Sequence, residues 1–309
     1  MMIVKNIDRA AFAALFPSLP ERSNKGDMGR LLVVCGSYDP CGYAMCGAAY
    51  FASLAAYRCG AGIVEIFTPK ENYSALATLV PEAVFSLYSC DEAHGDVEKR
   101  LSLALERSNA VVLGCGLGKS ETSVSLVKTV LEKVKCPLLI DADGLNIISG
   151  SQELWTLLSP EQRSRTVITP HPGEMSRLCS ASIDNILGDV EKYARAFASE
   201  KGIVCLLKDH NTVVTDGRIV YINQSGNAGM ATAGMGDVLA GIIGALLARG
   251  EKNRLCDNSE AILLRAAVGA YLHGYAGDLA AEKMGQYSLM ASDLLLEISE
   301  SIKGNFGQI

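Results

Sequence analysis

The sequence predicts an α/β protein built on a mainly parallel β-sheet. Short apolar runs alternate with longer helical segments along the first two thirds of the chain, which is the rhythm of βαβ units. The apolar runs are mostly continuous rather than alternating. This pattern is typical of strands whose two faces are both buried.

Each element follows from this pattern. Predicted strands occupy residues 31–35, 63–67, 84–87, 110–113, 138–140 and 167–168, with crossover helices at 47–57, 97–107 and 123–134. Runs at 203–207, 212–215 and 219–222 follow, and Asp216-Gly217 predicts a tight hairpin. Helices are expected at 238–248 and 260–281, and a short amphipathic helix at 10–16. Without a linker or repeat, we expect one domain spanning residues 1–309.

Composition and charge exclude several function classes. The net charge is −6 and no basic cluster is present, so a nucleic-acid partner is not expected. No apolar run reaches about 18 residues, the length that a membrane helix requires. The ten cysteines lie mostly in apolar runs and form no C-x-x-C pair, which is typical of reduced thiols and favours the cytoplasm.

The strongest local motif is a glycine-rich segment, residues 226–237, that leads into an apolar helix. It ends with Gly234-Met235-Gly236-Asp237. Backbone N–H groups at the start of a helix can hold a phosphate or a developing phosphoryl charge. Asp237 would then take a proton from an attacking hydroxyl. The same residues also fit a simple turn with Asp237 as a helix cap.

Three further loops follow predicted strands, at residues 114–118, 141–144 and 169–174. The carboxyl ends of parallel strands share one edge of the sheet, where ligands bind in open α/β folds. His171 lies between Pro170 and Pro172, which restrict the backbone around it and favour a fixed ligand contact over packing. Asp141 and Asp143 have no third partner nearby in sequence, so no protein metal site is predicted.

Taken together, these segments resemble a known enzyme family. The matching pieces are residues 25–30, 47–62, 114–118, 141–146, 169–174, 208–212, 226–237, 273–278 and 291–294. They are similar to the nucleotide-dependent NAD(P)H-hydrate dehydratases, a branch of the ribokinase-like superfamily. The resemblance implies a three-layer α/β/α sandwich. It also implies a cofactor-repair lyase that phosphorylates the C6 hydroxyl of hydrated NADH or NADPH (S epimer) and then eliminates phosphate.

The resemblance also implies roles for individual residues. In the catalytic group, Asp237 would abstract the proton, and Gly234, Met235 and Gly236 would form the anion hole. Ala48, Gly118, His171 and Asp237 would contact the hydrated cofactor. Lys208, Asp209, His210, Asn211, Thr212 and Gly236 would bind the adenine nucleotide. ADP is the expected co-substrate, with ATP as the alternative, and Mg²⁺ is expected to arrive with the nucleotide phosphates.

Two alternatives stay open from the sequence. A small-molecule kinase of the same superfamily, acting on the hydroxymethyl group of a vitamin precursor, would use the same Gly-x-Gly-Asp chemistry. A non-catalytic nucleotide-binding regulator is the other, and an intact Asp237 argues against it. We also expect a homo-oligomer with no membrane partner. The chain begins close to the kinase-like segments, so we expect no N-terminal epimerase domain.

Overall fold

The fold is organised around one ten-stranded sheet. The computed structural model describes residues 3–306 apart from 6, 8–10, 13, 14, 17, 40, 41, 90 and 250–257. In spatial order the strands are β1-β12-β11-β10-β9-β8-β7-β2-β5-β6. Strand β11 runs antiparallel to both of its neighbours, and the other pairs in the sheet are parallel. Strands β3 and β4 form a separate small hairpin.

The strands are short. Their bounds are β1 Ile3–Lys5, β2 Arg30–Val34, β3 Tyr38–Asp39, β4 Tyr43–Ala44, β5 Ile63–Pro69, β6 Val84–Tyr88, β7 Ala110–Leu113, β8 Leu138–Ile140, β9 Thr166–Ile168, β10 Val204–Leu207, β11 Thr212–Thr215 and β12 Ile219–Asn223.

Helices cover both faces of this sheet. Their bounds are α1 Cys46–Arg58, α2 Tyr73–Leu79, α3 His94–Glu106, α4 Glu121–Lys133, α5 Asp143–Ser149, α6 Pro160–Ser164, α7 Pro172–Cys179, α8 Ile183–Gly188, α9 Val190–Lys201, α10 Met235–Ala248, α11 Ser259–Met284 and α12 Ala291–Phe306. Short 3-10 turns occupy Lys70–Asn72, Gln152–Leu157, Ala228–Met230 and Gln286–Ser288.

The alternation of side chains along each strand divides the core into two layers. In β2, Leu31 and Val33 face the core that packs under α1, α10 and α11. Leu32 and Val34 face the opposite core, under α3, α4 and α9. All four are fully buried. A strand covered on both faces needs apolar residues at every position, which explains the continuous runs in the sequence.

A close approach of two helices fixes the position of α10. A Cβ added at Gly241 would lie 2.1 Å from the carbonyl oxygen of Ala52 in α1, so only glycine fits there. Helix α10 therefore packs directly against α1. Its first turn lies at the carboxyl edge of the sheet.

The predicted strands and longer helices are confirmed, with bounds that differ by a few residues. Asp216-Gly217 does connect an antiparallel pair, and the Asp216 carboxylate accepts from the backbone N–H of Ile219 at 2.8 Å. The shorter helices α2 and α5 to α8, the longer helices α9 and α12, and strands β1, β3 and β4 were not predicted. The predicted helix at 10–16 falls partly outside the described residues. Within the described ranges, no helix is long and apolar enough to cross a membrane.

Candidate active site

The loops singled out in the sequence do meet at one edge of the sheet. Those at 114–118, 141–144 and 169–174 follow β7, β8 and β9, and the segment at 208–212 follows β10. These strands are parallel neighbours, and β2, which precedes Gly36, pairs with β7. Backbone hydrogen bonds join one loop to the next: Gly36 N donates to Cys115 O at 2.9 Å, Asp143 N to Gly114 O at 3.2 Å, and Lys208 N to Pro170 O at 2.8 Å. The predicted ligand edge is therefore one connected surface.

The glycine-rich segment is anchored at its start by helix α11. Gly226 N donates to Asp278 Oδ2 at 2.9 Å, and the amide of Asn227 donates to Asp278 Oδ1 at 2.9 Å and to Gly277 O at 3.0 Å. These bonds fix the path of the chain toward α10. Asp278 therefore organises the motif, a role that the sequence did not reveal.

Gly234 is the N-cap residue of α10, and its φ of +90° is a conformation that favours glycine. A Cβ at this position would lie 2.8 Å from the ring of Phe51 and from Ala291. Because glycine has no side chain to cap the helix, the N–H groups of the first turn are left to bind something else. At the positive end of the helix dipole, such N–H groups can bind an anion.

Asp237 lies in the first turn of α10, three residues after the N-cap. Asp237 is therefore not the N-cap of α10, as the interpretation of the motif as a simple turn with a helix cap would require. Burial, followed by the negative charge of Asp141, raises the pKa of Asp237 to about 6, although the Cys115 thiol and the Lys208 ammonium favour its charged form. A partly buried carboxyl group with a pKa near neutrality is suited to accept a proton.

A buried ion pair lies beside this helix start. Lys208 Nζ is 2.9 Å from Asp141 Oδ1, and the Asp141 side chain is only 2% exposed. A Cβ at Gly236 would lie 3.5 Å from Lys208 Nζ and 3.6 Å from Asp141 Oδ2. Burial opposes the charge of Lys208, but Asp141 and Glu174 outweigh it and raise the pKa of Lys208. The ammonium is therefore charged at neutral pH and lies next to Gly236 in the first turn of α10.

The rest of the predicted nucleotide segment lies farther out. Asp209, His210 and Asn211 form an exposed turn between β10 and β11. Thr212 begins β11, and its hydroxyl donates to Asp209 O at 3.2 Å. The structure therefore separates Lys208, which points into the site, from these three residues at its rim.

His171 is the N-cap of α7. Its Nδ1 accepts from Gly173 N at 3.0 Å, its backbone N–H donates to Glu174 Oε2 at 2.9 Å, and its imidazole is about half exposed. Burial, then the charges of Lys208 and Arg177, lower the pKa of His171. The imidazole is therefore neutral at pH 7. Because Nδ1 accepts, Nε2 carries the hydrogen, and it lies 3.4 Å from Glu174 Oε1.

Ala48 and Gly118 flank the same edge. A Cβ at Gly116 would lie 2.8 Å from the Cβ of Ala48, so α1 and the loop after β7 are in contact. Gly118 N donates to Asp143 Oδ2 at 2.8 Å, and its φ is +71°. The structure thus brings Ala48 and Gly118 to the edge that holds Asp237, and their contact with a substrate stays a prediction.

His273 also supports the site and was not assigned a role from the sequence. Its Nε2 lies 2.9 Å from Met235 O in the first turn of α10. Burial lowers the pKa of His273 to about 4, so the ring is neutral and donates to this carbonyl. Among the described residues, no group of three or more His, Cys, Asp or Glu side chains is placed to hold a metal ion.

Comparison with known proteins agrees with this geometry. The family model described as NAD(P)H-hydrate dehydratase matches residues 31–301. The ADP-dependent (S)-NAD(P)H-hydrate dehydratase of Neisseria meningitidis is 35% identical over 277 residues, which are 89% of this chain and 84% of that protein. The bifunctional NAD(P)H-hydrate repair enzyme Nnr of Moorella thermoacetica is 39% identical over 285 residues, 90% of this chain. The matched region of this chain covers 50% of the length of that enzyme.

A solved structure shows the same architecture. The ADP/ATP-dependent NAD(P)H-hydrate dehydratase of Bacillus subtilis, co-crystallised with ATP and Mg²⁺, superimposes with a TM-score of 0.77 at 26% identity, covering 96% of this chain and 97% of that one. The ribokinase-like three-layer sandwich is thereby confirmed. Matched over nearly its whole length, the chain belongs to the NAD(P)H-hydrate dehydratase family.

Proposed function

We propose that this protein dehydrates the S epimer of hydrated NADH or NADPH in a reaction driven by an adenine nucleotide. The observation that carries the proposal is the carboxyl group of Asp237, whose pKa is raised to about 6 at the start of a helix with free N–H groups. A carboxylate suited to act as a general base thus lies beside N–H groups suited to bind a phosphoryl group. Family membership supplies the substrate class.

In the proposed reaction, Asp237 takes the proton of the C6 hydroxyl while that oxygen attacks the terminal phosphorus of the nucleotide. The bond from phosphorus to the bridging oxygen breaks, and AMP leaves if the nucleotide is ADP. The backbone N–H groups of Gly234 to Gly236 stabilise the charge on the transferring group. Loss of phosphate and a ring proton then restores the dihydronicotinamide, because phosphate leaves far more readily than hydroxide.

Lys208 and Asp141 prepare this site. The ammonium lies next to Gly236 and brings a positive charge to the place where phosphoryl oxygens would lie. Asp141 keeps Lys208 charged and raises the pKa of Asp237. The pair therefore adjusts both the anion site and the base.

We propose ADP as the co-substrate, with ATP as the alternative, since the Neisseria meningitidis relative is named ADP-dependent and the Bacillus subtilis protein ADP/ATP-dependent. Asp209, His210, Asn211 and Thr212 would line the nucleotide site, and Ala48, Gly118 and His171 the hydrated cofactor.

Mg²⁺ would enter on the nucleotide. The Asp141 carboxylate is committed to Lys208, and the Asp143 carboxylate accepts from Gly118 N. The described side chains therefore suit a cation carried by phosphates better than one held by the protein alone. A magnesium ion bound to the phosphates neutralises part of their negative charge.

The cellular setting and the domain organisation are also proposals. The seven described cysteines are free thiols and five of them are buried, which supports a reducing compartment such as the cytoplasm. A continuous sheet from Ile3 to Asn223 supports a single domain over residues 1–309. The homo-oligomer stays a prediction, which sedimentation would test.

One experiment tests the function directly. The protein is incubated with the purified S hydrate of NADH and either ADP or ATP with Mg²⁺, and the return of dihydronicotinamide absorbance is followed. We expect turnover with ADP, and none when the nucleotide is omitted. Failure with both nucleotides, together with phosphorylation of a pyrimidine or thiazole alcohol, would assign the protein to the small-molecule kinases instead.

A further inference from the structure

Arg177 is an exposed arginine of α7, the helix that His171 caps. Its Nε donates to Asn146 Oδ1 at 2.9 Å. A Cβ added at Gly173 would lie 4.0 Å from Arg177 Nη1 and 3.2 Å from His171 Nδ1. The guanidinium group and the imidazole therefore lie against the same glycine, at the rim of the site.

Hydrogen bonds connect this guanidinium group to the loop after β7. The side chain of Asn146, which accepts from Arg177, also donates to Asp143 Oδ1 at 3.4 Å. The other carboxylate oxygen of Asp143 accepts from Gly118 N at 2.8 Å. These side chains join α7 to the loops after β8 and β7, so the position of Arg177 is set relative to Gly118.

The guanidinium group keeps most of its hydrogen-bonding capacity. It has five N–H donors, and the bond to Asn146 uses only the one on Nε. Among the described residues, its two Nη groups have no hydrogen-bond partner, and no carboxylate forms an ion pair with it. The Nη groups are therefore available to bind an anion.

The positive charge of Arg177 acts on the candidate site. Burial, then Lys208 and Arg177, lower the pKa of His171. Lys208 is paired with Asp141, whereas Arg177 brings a charge that no ion pair within the described part of the chain offsets. An anionic ligand that reached from Asp237 to this rim would meet a guanidinium group there.

We propose that Arg177 binds phosphate oxygens of the hydrated cofactor through its two Nη groups and so contributes to the affinity for this substrate. The identity of the substrate rests on the proposed function. The planar fork of a guanidinium group matches the geometry of phosphate oxygens and holds them through two parallel hydrogen bonds. NADH and NADPH hydrates both carry a pyrophosphate, and the NADPH hydrate carries a 2′-phosphate as well.

Titration calorimetry with NADPH and with NADH, the reduced cofactors themselves, tests this contact without turnover. We expect Arg177→Gln to weaken the binding of NADPH about tenfold, as for a lost hydrogen bond to a charged group. Arg177→Lys should have a smaller effect, because lysine keeps the charge but lacks the fork. An equal loss for NADH would assign the contact to the pyrophosphate, and a loss confined to NADPH would assign it to the 2′-phosphate.

Arg165→Gln is the matched control. Arg165 is also a partly exposed arginine held by one hydrogen bond, from Nη1 to Lys135 O at 3.3 Å. It precedes β9, however, and so lies at the opposite edge of the sheet from Arg177. This variant should bind both cofactors like the wild type. Equal weakening by Arg165→Gln and Arg177→Gln would reduce the effect to one of net charge and would overturn the proposal.

Steady-state kinetics separate binding from chemistry. Because Arg177 lies at the rim and not beside Asp237, Arg177→Gln should raise KM for the hydrate about tenfold while kcat and the KM for ADP stay near the wild-type values. A change in kcat alone would contradict a binding role.

The calorimetric result decides the proposal even without turnover. Unchanged affinity of Arg177→Gln for both reduced cofactors would overturn it, and so would a wild-type protein that binds neither of them. A wild-type protein that binds NADPH with the help of Arg177 but has no dehydratase activity would instead reject only the proposed function.

Discussion

Asp237→Asn should make the protein more stable at neutral pH while nearly abolishing its activity. The pKa of Asp237 is raised from 3.8 to about 6, and each unit corresponds to about 1.4 kcal/mol, so the charged carboxylate costs about 3 kcal/mol in the folded state. The folded protein binds more protons than the unfolded chain between about pH 4 and 6. Wild-type stability therefore falls as pH rises through this window and stays reduced above it.

Asparagine does not ionise and therefore avoids this cost. We expect the free energy of unfolding of Asp237→Asn to exceed that of the wild type by up to about 3 kcal/mol at pH 7.5, and the difference to vanish near pH 4. Urea unfolding at several pH values measures it. Asp237 is not the N-cap of α10, so no cap is lost in this variant.

The same variant should turn over at least about a hundredfold more slowly, a loss typical of removing a general base. In the wild type, kcat/KM should rise with pH along an acid limb near pH 6, because the base must be ionised. Turnover near the wild-type rate in Asp237→Asn would refute its role as base. A stability difference that does not depend on pH would refute the account of its burial.

Three further variants probe the supporting structure. Lys208→Ala leaves Asp141 buried without its cation, so we expect the free energy of unfolding, measured in urea, to fall by about 3 kcal/mol. The acid limb of the pH profile of kcat/KM should move to higher pH. An unchanged acid limb would contradict the argument that Lys208 lowers the pKa of Asp237. His171→Ala should weaken binding of the hydrate, which a titration would measure. It should also lower the stability of the protein by about 1 kcal/mol, because the N-cap of α7 is lost, and a thermal melt would show this. Unchanged affinity for the hydrate would leave His171 with only the capping role. Gly241→Ala should destabilise the protein by about 2 kcal/mol or more through overpacking, whereas Gly95→Ala, with open space at its Cβ, should not; equal melting temperatures would contradict the close helix contact.

Much of the fold could be read from local pattern. A strand buried on both faces must be apolar at each position, so β2 and β7 can be recognised in the sequence as continuous apolar runs. Most of the helices that were missed are short, whereas α9 and α12 are longer. The sequence signals of three of them are capping residues: Ser159 and Ser182 cap α6 and α8, and Asp189 caps α9. The short helices have too few turns to show an apolar period, so the apolar pattern alone did not find them.

The sequence by itself also determined where the site would be, because loops after parallel strands must share an edge. It identified Asp237 as the carboxylate at the start of α10. Only the tertiary structure decided which groups surround it. Lys208 and Asp141 are 67 residues apart in the chain yet form an ion pair, and both act on the pKa of Asp237 from other loops. Burial and charge depend on such distant neighbours, so the pKa of Asp237 is a property of the folded protein and not of the motif.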